Sequence, residues 1–229
     1  MTTYTAPSSA PPSINNDEDI QASTEAVLND ISNGKLILDD YDGVLVACYS
    51  VHPLVHELRD RLRPIAGSTD SPKHVTGIFE ASVLTAQLLI GPPSKETWGI
   101  VTTGKFWEEH LTQGVRGCLG QAAHEQSANF GGVFTTGLTA GDFHTVPPEV
   151  VERRLVKATK LLLDSGRVTC VVMGCAGMAG LEYTIRSAAA ELNGGNEVRD
   201  LHVVDGVKAG IMQLDQAIRS KLIFGPHHE

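Results

Sequence analysis

The chain has 229 residues, of which 41% are hydrophobic and 20% charged, with a formal net charge of −9. That length can bury a sizeable core in one large or two small units. The acidic balance, with no basic run longer than residues 59–63, argues against the clustered cations that nucleic-acid binding needs. No apolar run approaches the roughly 20 residues of a bilayer span.

Residues 1–19 are rich in proline, serine and other turn formers and read as extended chain. They lack the basic and apolar regions of a secretory signal, so the expected setting is the cytoplasm, where thiols stay reduced. Asn16 or Asp17 can cap a helix over about 18–31, which Asn33-Gly34 ends. Residues 44–47 (VLVA) form a short apolar run of the kind buried in a parallel sheet. After Cys48 the spacing becomes helical (Leu54, Val55, Leu58, Leu62), with Pro53 suited to a first turn. Residues 64–73 read as a loop, 74–79 as a strand and 80–90 as a helix. Gly91-Pro92-Pro93 stops that helix and marks a boundary.

Strands are expected at 98–103, 132–136, 169–174 and 201–205. Helices are expected at 106–119, 149–164, from Cys175 to about 192, and at 207–222. A Gly/Pro-containing loop runs to Pro148, and residues 225–229 read as a disordered tail. Strands alternating with helices predict an α/β fold built on parallel sheet.

The chain repeats itself. YDGVLVACYSVHPLVHELR (41–59) aligns without a gap on VTCVVMGCAGMAGLEYTIR (168–186), 127 positions on. Cys48 falls on Cys175, Leu54 on Leu181 and Arg59 on Arg186. Residues 74–90 match 202–218 at an offset of 128, and YTAPSS after Tyr4 resembles FTTGLT after Phe134. Two pseudo-symmetric lobes are therefore expected, each a short parallel sheet flanked by helices. The first spans 1–93 and is completed by the C-terminal helix 206–229; the second spans 94–205. A strand, a helix and another strand precede the loop at 134, but three residues precede its counterpart at Tyr4, so the first lobe is expected to be N-terminally truncated.

Ligands of open parallel sheets bind beyond the carboxyl ends of the strands, where Cys48 and Cys175 both fall. A helix start immediately after each would lower its pKa. Two thiols facing one cleft from opposite lobes suit proton removal from one face of a carbon and return to the other. Backbone N–H groups at the same helix starts would hold the developing negative charge. Tyr49, Ser50, Glu80, Thr102, Thr103, Ala176, Gly177 and Met178 are candidates to line that cleft. Plainer roles exist for several: Tyr49 and Ser50 can simply start a helix, Glu80 can serve its helix's first turn, Met178 can pack, and Asp205 can cap.

Cys118 and Cys170 match nothing in the repeat and read as structural, and four cysteines in so long a chain need not be disulfides. His52 and His56 have metal-binding spacing without a third ligand, and His227 and His228 are tail residues. No metal or organic cofactor is required. The expected partner is a small molecule, and the acidic two-lobed surface is compatible with a homo-oligomer.

ACYS…HPL, GIFEAS, GIVTT, MGCAGMAGL and VVDGVKAG together resemble the aspartate/glutamate/hydantoin racemase superfamily, and most of all its hydantoin/allantoin branch, which includes fungal members. The resemblance runs from about Tyr4 to Ile218. It implies catalytic roles for Cys48 and Cys175, no cofactor, and substrates such as 5-substituted hydantoins or allantoin, whose ring C5 proton is acidic. The family opens with a strand bearing an Asn-Pro-Asn-Ser/Thr motif that this chain does not show. The alternatives are a one-thiol decarboxylase or isomerase on the same scaffold, or a catalytically degenerate binding protein.

Overall fold

Among the described residues six short runs form strands, and all of them pair in parallel. In the computed structural model, which describes residues 1–64, 73–91, 95–121 and 129–224, β1 (Gly43–Val46) pairs with β2 (His74–Gly77). The strands β3 (Thr97–Thr102), β4 (Phe130–Thr135), β5 (Val168–Gly174) and β6 (His202–Asp205) form a second sheet in the order β4-β3-β5-β6. The helices α1 (Asp17–Ser32), α2 (Pro53–Arg61) and α3 (Ile78–Ile90) belong to the first half of the chain. They are followed by α4 (Phe106–Cys118), α5 (Asp142–Thr145), α6 (Pro148–Asp164), α7 (Glu182–Leu192) and α8 (Gly206–Phe224). No helix among the described residues is long and apolar enough to cross a membrane.

The internal repeat reappears as strand register. Val46 pairs with Gly77, and Met173 pairs with Asp205, the same pairing displaced by 127 and 128 positions. Arg59 and Arg186, also equivalent, each tie a helix to backbone near the next strand. Arg59 Nε donates to the Val75 carbonyl at 2.9 Å, and Arg186 Nη1 to the Leu201 carbonyl at 2.8 Å.

The two sheets differ in what flanks the repeated pair. β5 lies between β3 and β6, whereas β1 has only β2 beside it among the described residues. Cys170 through Gly174 are all buried in β5, but in β1 only Val46 is. Alternation along β3 and β5 divides the core between two faces. Trp98, Ile100, Cys170 and Val172 pack on one side, and Val101, Val171 and Met173 pack with Leu155 and Leu162 of α6 on the other.

α8 links the two sheets. It leaves the end of β6 and lies against β1, where a Cβ on Gly210 would stand 2.5 Å from Leu45 Cδ1. A Cβ on Gly43 would stand 3.2 Å from Leu214 Cδ2. Gln213 Nε2 also donates to the Ala81 carbonyl of α3 at 2.8 Å.

Several boundaries differ from expectation. β2 ends at Gly77, so Ile78 and Phe79 open α3 rather than close a strand; an unbroken apolar run does not say where strand gives way to helix. β4 starts at Phe130, two residues early, and the loop before Pro148 contains the short helix α5. Neither cysteine directly precedes an α-helix. Four residues separate Cys48 from α2, because Pro53 takes a first-turn position and His52 caps it. Cys175 enters a 3₁₀ turn over Ala176–Met178, and Gly180, at φ +89°, separates that turn from α7. The loop over 65–72, Pro92 and Pro93 of the boundary, and the 225–229 tail with His227 and His228 lie outside the described residues.

Candidate active site

Parallel pairing brings the carboxyl ends of β1 and β5 to their two cysteines, and the sulfurs are close enough that an ionised Cys175 raises the pKa of Cys48. Both residues are partly buried and free of disulfides. Burial is the dominant influence on each. It pushes the Cys48 thiol up to about 11 and the Cys175 thiol upward as well. The expected lowering by a helix start is thus outweighed, because removing a thiolate from water costs more than a few hydrogen bonds return.

The opposing contributions differ between the two. For Cys48 it is the Ser50 hydroxyl, whose Oγ lies 3.3 Å from the sulfur. For Cys175 it is the backbone N–H groups of Gly177 and Met178 in the 3₁₀ turn. The Met178 N–H also donates to the Cys175 carbonyl at 3.1 Å.

The residue before Cys175 explains how β5 presents it. A Cβ on Gly174 would lie 2.7 Å from both Ile100 Cγ2 and Thr102 Cβ. Only glycine lets β3 approach this closely. Thr102 closes the contact by donating its hydroxyl to the Gly174 carbonyl at 2.5 Å, so its side chain holds the strand end and is not a free donor. Thr103 is buried beside it, and its carbonyl accepts from the Gly137 N–H at 3.0 Å and from Thr136 Oγ1 at 3.3 Å.

The remaining candidates divide by position. Ala176 and Gly177 are partly exposed at the thiol, whereas Met178 is fully buried in the core with Leu155 and Ile185. Tyr49 is buried too: its ring stacks edge-on against Phe79, and its hydroxyl lies 2.8 Å from Ser82 Oγ. Burial raises the pKa of that phenol.

Glu80 folds back over the start of α3, where a Cβ on Gly77 would lie 2.2 Å from its Oε2. Burial raises its pKa, opposed by its own and Gly77's backbone and by Arg59 and His56. Its Oε2 is buried without a hydrogen-bond partner among the described residues. At the repeat equivalent of Gly77, the Asp205 carboxylate caps α8 by accepting from the Val207 N–H at 2.8 Å.

A family model described as Asp/Glu/hydantoin racemase matches residues 1–214. The chain belongs to the Asp/Glu/hydantoin racemase family. It is similar to an uncharacterized protein of Schizosaccharomyces pombe, at 30% identity over 79% of this chain and 65% of the relative. It is also similar to protein DCG1 of Saccharomyces cerevisiae, at 27% identity over 78% of this chain and 70% of that one. The chain therefore spans somewhat less than two thirds of the fission-yeast relative's length.

In fold, the racemase-family chain is similar to an allantoin racemase from Klebsiella pneumoniae, with a TM-score of 0.66 and 19% identity over 97% of this chain and 76% of that one. An allantoin racemase from Pseudomonas fluorescens gives a TM-score of 0.64 and 18% identity over 96% of this chain and 77% of the other. At these identities the likeness concerns the fold.

Of the His52/His56 pair, His52 is 2% exposed and caps α2; its Nδ1 accepts from the Leu54 N–H at 3.3 Å and lies 3.4 Å from Thr24 Oγ1. Among the described residues no group of three or more His, Cys, Asp or Glu side chains could hold a metal. Phe143 of α5 approaches Gly177 beside the Cys175 sulfur. The predicted loop gave no hint of it, because a four-residue helix leaves no periodicity to read.

Proposed function

We propose that this protein is a cofactor-independent racemase or epimerase of amino-acid derivatives, acting on 5-substituted hydantoins or allantoin through Cys48 and Cys175. The observation that carries the reading is the pair of thiols at repeat-equivalent strand ends, near enough that one charge bears on the other. In such a pair, the thiolate of one cysteine takes the proton from the acidic carbon, and the thiol of the other delivers its proton to the opposite face. The product is the inverted substrate, and the two cysteines exchange protonation states. Every proton is accounted for without an external oxidant or reductant.

Electrostatics fit this demand. Two thiolates side by side repel, so the pair keeps one proton as the other leaves. Family membership supports racemisation as the reaction class, and the fold neighbours make allantoin the first substrate to try. The test is polarimetry on single enantiomers of allantoin and of 5-substituted hydantoins, with solvent deuterium incorporation at C5 followed in parallel. Loss of rotation with uptake of one deuterium is expected. Absence of both from folded protein, on these substrates and on aspartate and glutamate, would overturn the reading.

A further inference from the structure

We propose that the residue two places after each cysteine, Ser50 in one lobe and Gly177 in the other, decides how that thiol holds its proton and so makes the two faces of the site chemically unequal. The inference rests on the two-thiol reading above. Ser50 and Gly177 are equivalent in the repeat, 127 positions apart. Ser50 is fully buried, with its Oγ 3.3 Å from Cys48 Sγ.

Gly177 offers no side chain, although space for one exists. A Cβ there would lie 3.6 Å from Cys175 Sγ, 3.7 Å from Phe143 Cβ and 3.8 Å from the Ala140 carbonyl oxygen, all ordinary contacts. Gly177 is also outside the positive-φ glycines. Neither backbone conformation nor crowding therefore demands glycine at this position.

The two solutions are different chemistry. A hydroxyl rotates: it can donate to a thiolate or accept from a thiol, and so serves both protonation states of Cys48. Gly177, at the equivalent position, brings no hydroxyl to Cys175, so that thiol lacks such a two-way partner and the two sulfurs hold their protons on unequal terms. Ser50 and Gly177 act through the sulfurs and are positioning residues.

The test uses the full-length protein and the variants Ser50→Ala, Ser50→Thr and Gly177→Ser, with folding checked by circular dichroism. Alkylation by iodoacetamide is followed against pH, and the Cys48 and Cys175 peptides are resolved by mass. In Ser50→Ala the onset for Cys48 should move up by about one pH unit, the scale of one hydrogen bond to a charged group, while that of Cys175 stays put. Ser50→Thr should restore the original onset, and Gly177→Ser should move only Cys175. In turnover, Ser50→Ala should shift the pH profile of kcat/KM for one enantiomer more than for the other. An unmoved Cys48 onset in folded Ser50→Ala, or equal movement of both thiols, would overturn the proposal. Because alkylation needs no turnover, an inactive protein whose onsets shift as stated would instead sink the racemase reading.

Discussion

An ionised Cys175 raises the pKa of Cys48 across 127 residues of sequence. The two sulfurs thus share one electrostatic environment, although each is delivered by its own sheet. Their immediate surroundings differ, since the Ser50 hydroxyl stands 3.3 Å from the Cys48 sulfur and its repeat equivalent beside Cys175 is Gly177.

If both thiols carry protons during turnover, losing either should be decisive. Cys48→Ser and Cys175→Ser should each lower kcat for racemisation by at least about 10²-fold, the range of a positioned acid or base. Polarimetry measures this directly. A single variant that still racemises at the parent rate rules out the two-base scheme.

Stability should fall at alkaline pH. Burial raises the Cys48 pKa from 9.0 to about 11 in the folded chain, so between those values the unfolded chain has released a proton that the folded chain retains. The contribution is fully present below pH 9 and is lost as pH rises through about 11, on the order of 3 kcal/mol at most. Urea unfolding at pH 8, 9.5 and 11 should show the decline, and Cys48→Ala should flatten it.

His52 predicts a second, acidic dependence. Burial lowers its pKa from 6.5 to about 4, so its stabilising contribution is full above pH 6.5 and disappears as pH falls through about 4. Its ring also caps α2 through the Leu54 N–H. His52→Ala should cost about 1 kcal/mol near neutrality, the usual worth of a helix cap, and should weaken the fall in Tm between pH 6.5 and 4.

Gly174→Ala should damage both fold and site. The added methyl would meet Ile100 and Thr102 at 2.7 Å, an overpacking that costs roughly 1–3 kcal/mol. Because the strand end moves with it, the alkylation rate of Cys175 should change while that of Cys48 does not. The repeat-equivalent residue is Ala47, just past the end of β1, a strand with only β2 beside it among the described residues.

Much of this was legible in the residues themselves. VLVA before Cys48 and TCVVMG before Cys175 read as buried strands; both form strands, but only the second is buried over most of its length, and the repeat places both thiols just past strand ends. Among the described residues, the two copies of the repeat lie in a two-stranded and a four-stranded sheet. What periodicity cannot carry is the balance of competing energies. Burial reversed the expected shift of both thiols, Tyr49 turned into the core, and the Thr102 hydroxyl was taken by a carbonyl 72 residues away. Glu80 keeps both readings, because first-turn acids look alike in sequence whether they bind or cap and its Oε2 is buried without a hydrogen-bond partner among the described residues.

In mechanical terms, the gap between the sulfurs is gauged well away from them. α8 starts at the sheet that carries Cys175 and rests its Gly210 against Leu45 on the strand that leads to Cys48. The helix is a spacer, and its thickness at that point is the bare backbone of one glycine. Gly210→Val should push the strands apart, lowering kcat and lessening the rise that Cys175 imposes on the pKa of Cys48. A proton relay between two lobes is then only as short as the thinnest part of the helix that holds them together.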